Sequence, residues 1–528
     1  MKPFACILTC VLLGLLALPG CSAGQVATGE GELVRLWDEP STLDPHLAGD
    51  ADSGTIVGEV FGGLVSLDTE LKVSADLAED WTISPDRKTY TFNLRRNARF
   101  HDGRLVTAHD VKWSLERAAD PKTQSTTAQT YLGDIVGVRE KLAGTAQEVT
   151  GVKVIDDHII QITIDEPKAY FLAKLTYPTA FVLDQQNVES GPEWFKQPNG
   201  TGPFKLKEYL PSEVIVLERY DEYHLGMAKL NSVRFLLGGG TPIVMYENDE
   251  IHLTGVGIND LERVLDPNSP LNKDLQLAPP GFQTSYIGMV IARPPFDDPK
   301  VRQALNHAID KDQIASKVLL NQVKPAYGVL PPGFPGFAPA LEGLRFDPEL
   351  ARQLLAESKY GADPKNVPRV TLTVSGALGT AVGPDLQAII AMWRDNLGIE
   401  VDVQQVEFAT FLRDLRGGRL QMYALAWIAD YPDPQNFLDL LFHSQSLNNE
   451  TGYSNADVDR LLEAARTEPD EATRYDLYRR AEAAIVQDAP WVPLWHPGDG
   501  YVLIKPQVKD YLLTPLIVPK YRFVSLEE

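Results

Sequence analysis

Side chains capable of acid–base, nucleophilic or metal chemistry are plentiful in this sequence, but their spacing does not organise them for catalysis. The nine histidines stand at 46, 101, 109, 158, 224, 252, 307, 443 and 496, with no H-x-x-x-H pair and no cysteine cluster beside any of them. A zinc site needs a tight group of such ligands, so none is expected. No G-x-S-x-G elbow, no S-x-x-K run with its partner motifs and no Walker loop occurs. Gly255-Val-Gly257 lacks a third glycine and Gly238 to Gly240 precedes Thr-Pro, so both read as turns. Acidic pairs are too common in a chain with 72 Asp and Glu to nominate a glycosidase. No catalytic residue, metal or cofactor is expected, and an extracellular hydrolase is the distant alternative. One carboxylate is distinguished by its neighbours: Asp430 ends Trp427-Ile-Ala-Asp430 and opens Asp-Tyr-Pro-Asp-Pro434. By spacing alone it reads as the cap of a short helix over Asn436 to Phe442, or as the first residue of a turn. Trp427, in Tyr423-Ala-Leu-Ala-Trp, reads equally as a core residue.

The elements that must position these residues alternate between strand and helix. Thr89 to Leu94 sets Tyr90, Phe92 and Leu94 against polar neighbours, the period of a half-buried strand. Thr107-Ala-His-Asp110 has the form of a capping box, with Asp in place of the usual Glu, before a helix over Val111 to Ala119. Val152 to Ile164 holds two strand-like runs about Asp156-Asp157, a predicted hairpin. Asp298-Pro299 starts a helix in which Val301, Leu305, Ala308 and Ile309 share one face. Further helices are predicted over Asp457 to Thr467 and Glu471 to Gln487. Pro- and Gly-rich breaks lie at 197–203, 279–281 and 331–339, the first two as lobe junctions and the third as a long loop. The class is α/β.

The chain has 528 residues, 44% hydrophobic and 23% charged, a globular composition long enough for several domains. Its formal charge of -23 repels phosphate backbones, which excludes nucleic acid as a partner. Lys2 and the apolar run from Phe4 to Leu18 have the form of a signal peptide, 1–20, and are too short to span a membrane comfortably. All three cysteines, Cys6, Cys10 and Cys21, lie in or at the end of that segment, so a mature chain has no disulfide. Leu18-Pro-Gly-Cys21 resembles a bacterial lipobox, which makes Cys21 the expected lipidation site and 21–29 a small, polar tether. The expected location is exported: periplasm or outer face of the cytoplasmic membrane, held by the lipid.

Ser41-Thr-Leu-Asp-Pro-His46, Val60-Phe-Gly-Gly-Leu-Val65, Asp76-Leu-Ala-Glu-Asp-Trp81, Phe100-His-Asp-Gly103, Asn199-Gly-Thr-Gly-Pro-Phe204, Pro295-Phe-Asp-Asp-Pro299 and Trp427-Ile-Ala-Asp430 recur in order along nearly the whole mature length. Together they resemble the family 5 extracellular solute-binding proteins, which serve ABC importers of peptides, oligopeptides and nickel. The resemblance implies a two-lobed periplasmic-binding-protein-like fold of the class II type with an additional small domain. Lobe I is assigned to 30–67, 190–281 and 500–528, the small domain to 68–189, and lobe II to 282–499, with hinge crossings near Gly281 and Gly500. It implies a monomer that captures a short peptide in the interlobe cleft and passes it to importer permease subunits. It also implies ligand contacts at Asp430, which would take the α-amine, and at Trp427. Backbone contacts would come from Gly49, Asp50 and Ala51, and cleft aromatics from Trp495 and His496. Ser375 to Gly383 lacks the arginine with which dipeptide binders grip a carboxylate, and Ala424 replaces another. Longer peptides, an oligosaccharide, an opine-like compound or a nickel chelate are therefore alternatives.

Overall fold

The computed structural model describes residues 31–376 and 382–527. The predicted signal peptide, the tether with Cys21 and part of the Ser375 to Gly383 segment lie outside the described residues.

Three sheets organise the chain. The first has seven strands, in the order Leu275–Ala278, Gly500–Ile504, Leu253–Gly255, Glu32–Leu36, Ser232–Leu236, Val214–Arg219 and Phe204–Leu210. Its central strand Glu32–Leu36 is parallel to Ser232–Leu236 and joins strands from three distant parts of the sequence. The second sheet is antiparallel: Ala78–Ile83, Thr89–Leu94, Ile159–Thr163 and Val152–Asp156. The third has six strands, in the order Val323–Pro325, Trp491–Pro497, Gln283–Met289, Met422–Ile428, Val370–Ser375 and Val401–Val406. The result is a two-lobed α/β fold.

Local signals act where they are expected. Thr107 donates both its backbone N–H and its hydroxyl to the Asp110 carboxylate at 2.8 Å, closing the capping box of helix Ala108–Ala118. Asp298 caps helix Pro299–His307 through the Lys300 amide, with Pro299 filling the first turn where no donor is needed. Val152–Asp156 and Ile159–Thr163 form the hairpin. The late helices run Ala456–Thr467 and Glu471–Asp488.

The lobes are joined by two neighbouring strand runs. Leu275–Ala278 leaves the first sheet and continues through 279–282 into Gln283–Met289 of the third. Trp491–Pro497 returns through 498–499 into Gly500–Ile504. The two runs pair on both sides of the crossing, Ala278 with Gly500 and Ser285 with Trp495. Only residues 279–282 and 498–499 of these runs are outside a sheet.

Candidate functional site

Asp430 stands just past the end of Met422–Ile428, an inner strand of the six-stranded sheet. Its place is fixed from two sides. The preceding amide, Ala429 N–H, donates to Phe282 O at the lobe crossing, 2.8 Å away. The Asp430 amide donates to Asn436 Oδ1 at 3.0 Å, and Trp427 Nε1 reaches the same oxygen at 3.2 Å. The Asn436 amide nitrogen then donates to Asp430 Oδ2 at 2.9 Å. The helix cap that spacing alone offered to Asp430 is taken by Asp433, which accepts from Gln435 N–H at 3.0 Å. Asp433 is in turn held by a buried ion pair with Arg474, at 2.9 Å, from the inner face of helix Glu471–Asp488. The motif divides its work: Asp433 builds the turn and Asp430 is left to point outward.

It points at the other half of the molecule. Tyr131 OH, from helix Ala128–Leu132 beside the four-stranded sheet, donates to Asp430 Oδ2 at 2.5 Å. The Tyr131 ring stacks flat on Tyr177, with centroids 3.6 Å apart and planes within 1°, and meets Tyr431 edge-on. Thr130 donates to Asn448 Oδ1 at 3.2 Å alongside. The two sides are thus in contact across the cleft.

Asp430 as a residue is half-buried, and protein surrounds its carboxyl closely enough to remove most of its water. Burial pushes its pKa up to about 6, against the downward pull of the Tyr131 and Asn436 hydrogen bonds. Burial and the neighbouring Asp430 charge together push the Tyr131 phenol well up. Among the described residues no Lys or Arg forms an ion pair with Asp430, and its side-chain partners are a phenol and an amide. A carboxylate so placed favours a cation brought from outside.

The other expected residues divide. Gly49, Asp50 and Ala51 lie at the start of helix Ala51–Val60. The Asp50 carboxylate is spent on its cap, accepting from Ser53 N–H at 2.9 Å and Ser53 hydroxyl at 2.8 Å. Gly49 is exposed, and among the described residues its backbone N–H and C=O make no hydrogen bond. Asp50 and Asp430 both lie near enough to Tyr177 to raise the pKa of its phenol, after burial, so this loop and Asp430 share one aromatic pair. Trp427 is half-buried against the core of the six-stranded sheet. Trp495 and His496 are elsewhere. Trp495 is 4% exposed, sits in the core under helix Pro384–Leu397, and donates to Asp385 at 3.1 Å. His496 is 3% exposed, with Nδ1 against Thr284 Oγ1 at 3.1 Å and Gln283 O at 3.3 Å. Burial lowers its pKa to about 4. Neither side chain hydrogen-bonds to the Asp430 cluster. Tyr131, Tyr177 and Asn436 escaped the sequence reading; Asn436 alone had a local signal, six residues after Asp430 in the same turn. Among the described residues no group of three His, Cys, Asp or Glu is arranged to hold a metal ion.

The sequence profile of the bacterial extracellular solute-binding proteins, family 5, matches residues 72–449. The chain belongs to this family. The periplasmic oligopeptide-binding protein OppA of Salmonella typhimurium is 32% identical over 530 residues, covering 95% of this chain and 94% of that protein. The Escherichia coli murein tripeptide-binding protein MppA superposes with a TM-score of 0.83 at 30% identity, covering 94% of this chain and 98% of that one. The unliganded open form of MppA, at the same 30% identity and with 94% and 97% covered, gives only 0.70. Haemophilus influenzae OppA in complex with the peptide RPPGFSPFR gives 0.82 at 26% identity, over 94% of this chain and 99% of that one. The lobes of this family 5 protein therefore lie nearer to the arrangement of a peptide complex than to the open form, as the Tyr131–Asp430 contact requires. Family 5 proteins bind solutes outside the cytoplasm, and among the described residues no helix is long and apolar enough to cross a membrane.

Proposed function

We propose that this protein captures short peptides between its lobes and delivers them to the membrane subunits of an ABC importer, without chemical conversion. The observation that carries the reading is Asp430: a carboxylate in the cleft, largely stripped of water, bonded by neutral donors from both sides, and without a cation among the described residues. The α-ammonium of a peptide supplies that cation, whatever the peptide's sequence. A hydrogen bond to a charged partner contributes about 1.5–3 kcal/mol net. The uncommitted backbone of Gly49 offers main-chain pairing of the kind an added strand makes. The peptide-binding relatives and the peptide complex that this chain resembles support the same assignment.

Lobe I would comprise 30–67, 190–281 and 500–528, the small domain 68–189, and lobe II 282–499, a division supported by the membership of the three sheets. Lipidation at Cys21 would hold the protein at the membrane beside its permease; the lipobox-like Leu18-Pro-Gly-Cys21 is what supports it.

Native mass spectrometry of the purified protein, followed by a thermal-shift screen of short peptides, tests the reading. Bound peptides and upward shifts with unmodified peptides are expected. Shifts with oligosaccharides or nickel chelates alone, or recovery of cleaved peptides, would contradict it.

A further inference from the structure

The family signatures do not all converge on the cleft. Gly62 of Val60-Phe-Gly-Gly-Leu-Val65, Asp76 of Asp76-Leu-Ala-Glu-Asp-Trp81 and Pro203 of the Asn199 to Phe204 run instead wall a separate cavity of about 100 Å³. Tyr223 and, from the C-terminal segment, Arg522 complete it. None of its lining residues hydrogen-bonds to Asp430.

The polar groups here are incompletely satisfied. Asp76 is 5% exposed; its Oδ1 pairs with His224 Nε2 at 2.8 Å, while among the described residues its Oδ2 has no partner. A side chain at position 62 would cover that oxygen, since a Cβ there would come within 2.7 Å of it. Glycine leaves it open. Among the described residues the Tyr223 hydroxyl has no hydrogen bond either. Arg522 spends one nitrogen on Leu225 O at 3.3 Å and lies with its guanidinium 5.8 Å from the Tyr223 ring. Behind this wall His224 Nδ1 and Glu59 Oε2 are buried without a partner. Glu59 Oε1 takes the amides of Lys520 and Tyr521, which fastens the C-terminal segment to helix Ala51–Val60. On the cavity wall itself, Asp76 Oδ2 and the Tyr223 hydroxyl are the polar atoms left for an occupant to bond.

The chemistry selects its class. Asp76 repels a simple anion and Arg522 a simple cation; a molecule bearing both charges satisfies both. A water centre needs roughly 10–15 Å³, so the space admits several waters or one molecule of the bulk of glycine or alanine. We propose that this cavity binds a free α-amino acid or similar small zwitterion, with its ammonium on Asp76 Oδ2 and its carboxylate on Arg522.

Titration calorimetry of the full chain with glycine and L-alanine tests the site. Binding is expected at millimolar concentration. Arg522→Gln should weaken it by about tenfold or more, the loss of one charge-assisted contact, and Asp430→Asn should leave it unchanged. Methylammonium and acetate, each half of the ligand, should bind more weakly than glycine. Where Arg522→Gln does not fold, Tyr223→Phe replaces it, with a smaller loss expected. No binding by the unaltered protein, equal binding by the folded Arg522 or Tyr223 variant, or loss in Asp430→Asn would overturn the proposal. The last outcome would assign the amino acid to the cleft, leaving the peptide reading intact.

Discussion

Asp430 is bonded by a phenol and an amide and, among the described residues, forms no ion pair with Lys or Arg. Burial raises its pKa to about 6, which fixes the sign of a pH dependence. Pairing with an ammonium requires the ionised form, and below about pH 6 the empty site holds a proton that must leave on binding. Peptide affinity should therefore be flat above neutrality and fall by up to about tenfold per pH unit on the acid side. Calorimetry across that range checks it, and Asp430→Asn should abolish the dependence. Tyr131 is the neutral donor that spans the cleft. Tyr131→Phe removes one hydrogen bond, worth about 0.5–1.5 kcal/mol net, so peptide affinity should fall roughly threefold to tenfold. An unaltered affinity would show that this contact does not contribute to closure.

Element by element, what was legible in the sequence was what is local. The capping box at Thr107, the proline start at Asp298 and the alternation of Thr89–Leu94 are settled by neighbours within a few residues, and the structure has each of them. The Trp427-Ile-Ala-Asp430 motif marked the right turn, yet spacing could not decide between Asp430 and Asp433 as its cap. That choice is made by Arg474, 41 residues on, which claims Asp433. Tyr131 was illegible for the same reason: its partner lies 299 residues away, and nothing in Gln129-Thr-Tyr-Leu announces it. Trp495 and His496 lie on a strand, Trp491–Pro497, that is buried on both faces, which alternation in the sequence does not reveal. The Asp433–Arg474 pair is largely buried, with side-chain exposures of 11% and 7%. Arg474→Leu should strand the carboxylate and destabilise the fold by about 3–5 kcal/mol, read as a lower denaturation midpoint. A change below about 1 kcal/mol would mean that the turn is held by its hydrogen bonds alone.

At the scale of the whole molecule, two strand runs join the lobes and the Asp430 turn is tied to one of them through Ala429 and Phe282. On the proposed reading, ligand capture and lobe rotation share a backbone segment. The superposition scores, 0.82 with a peptide complex against 0.70 with an open form, set the arrangement nearer to the complex. An ion pair with an ammonium at Asp430 favours the closed arrangement over an open one, so peptide should shift the lobes towards closure. Small-angle scattering should show the radius of gyration falling when peptide is added. An identical profile with and without saturating peptide would mean that closure is not coupled to binding.

The central claim is that a peptide is held by its α-ammonium at Asp430. Titration of one peptide and its N-acetylated twin into the unaltered protein and into Asp430→Asn tests it most directly. The account predicts that acetylation costs the unaltered protein about tenfold to a hundredfold in affinity, the range of a charge-assisted bond, and costs the variant little. Equal affinity of the unaltered protein for both peptides would contradict it.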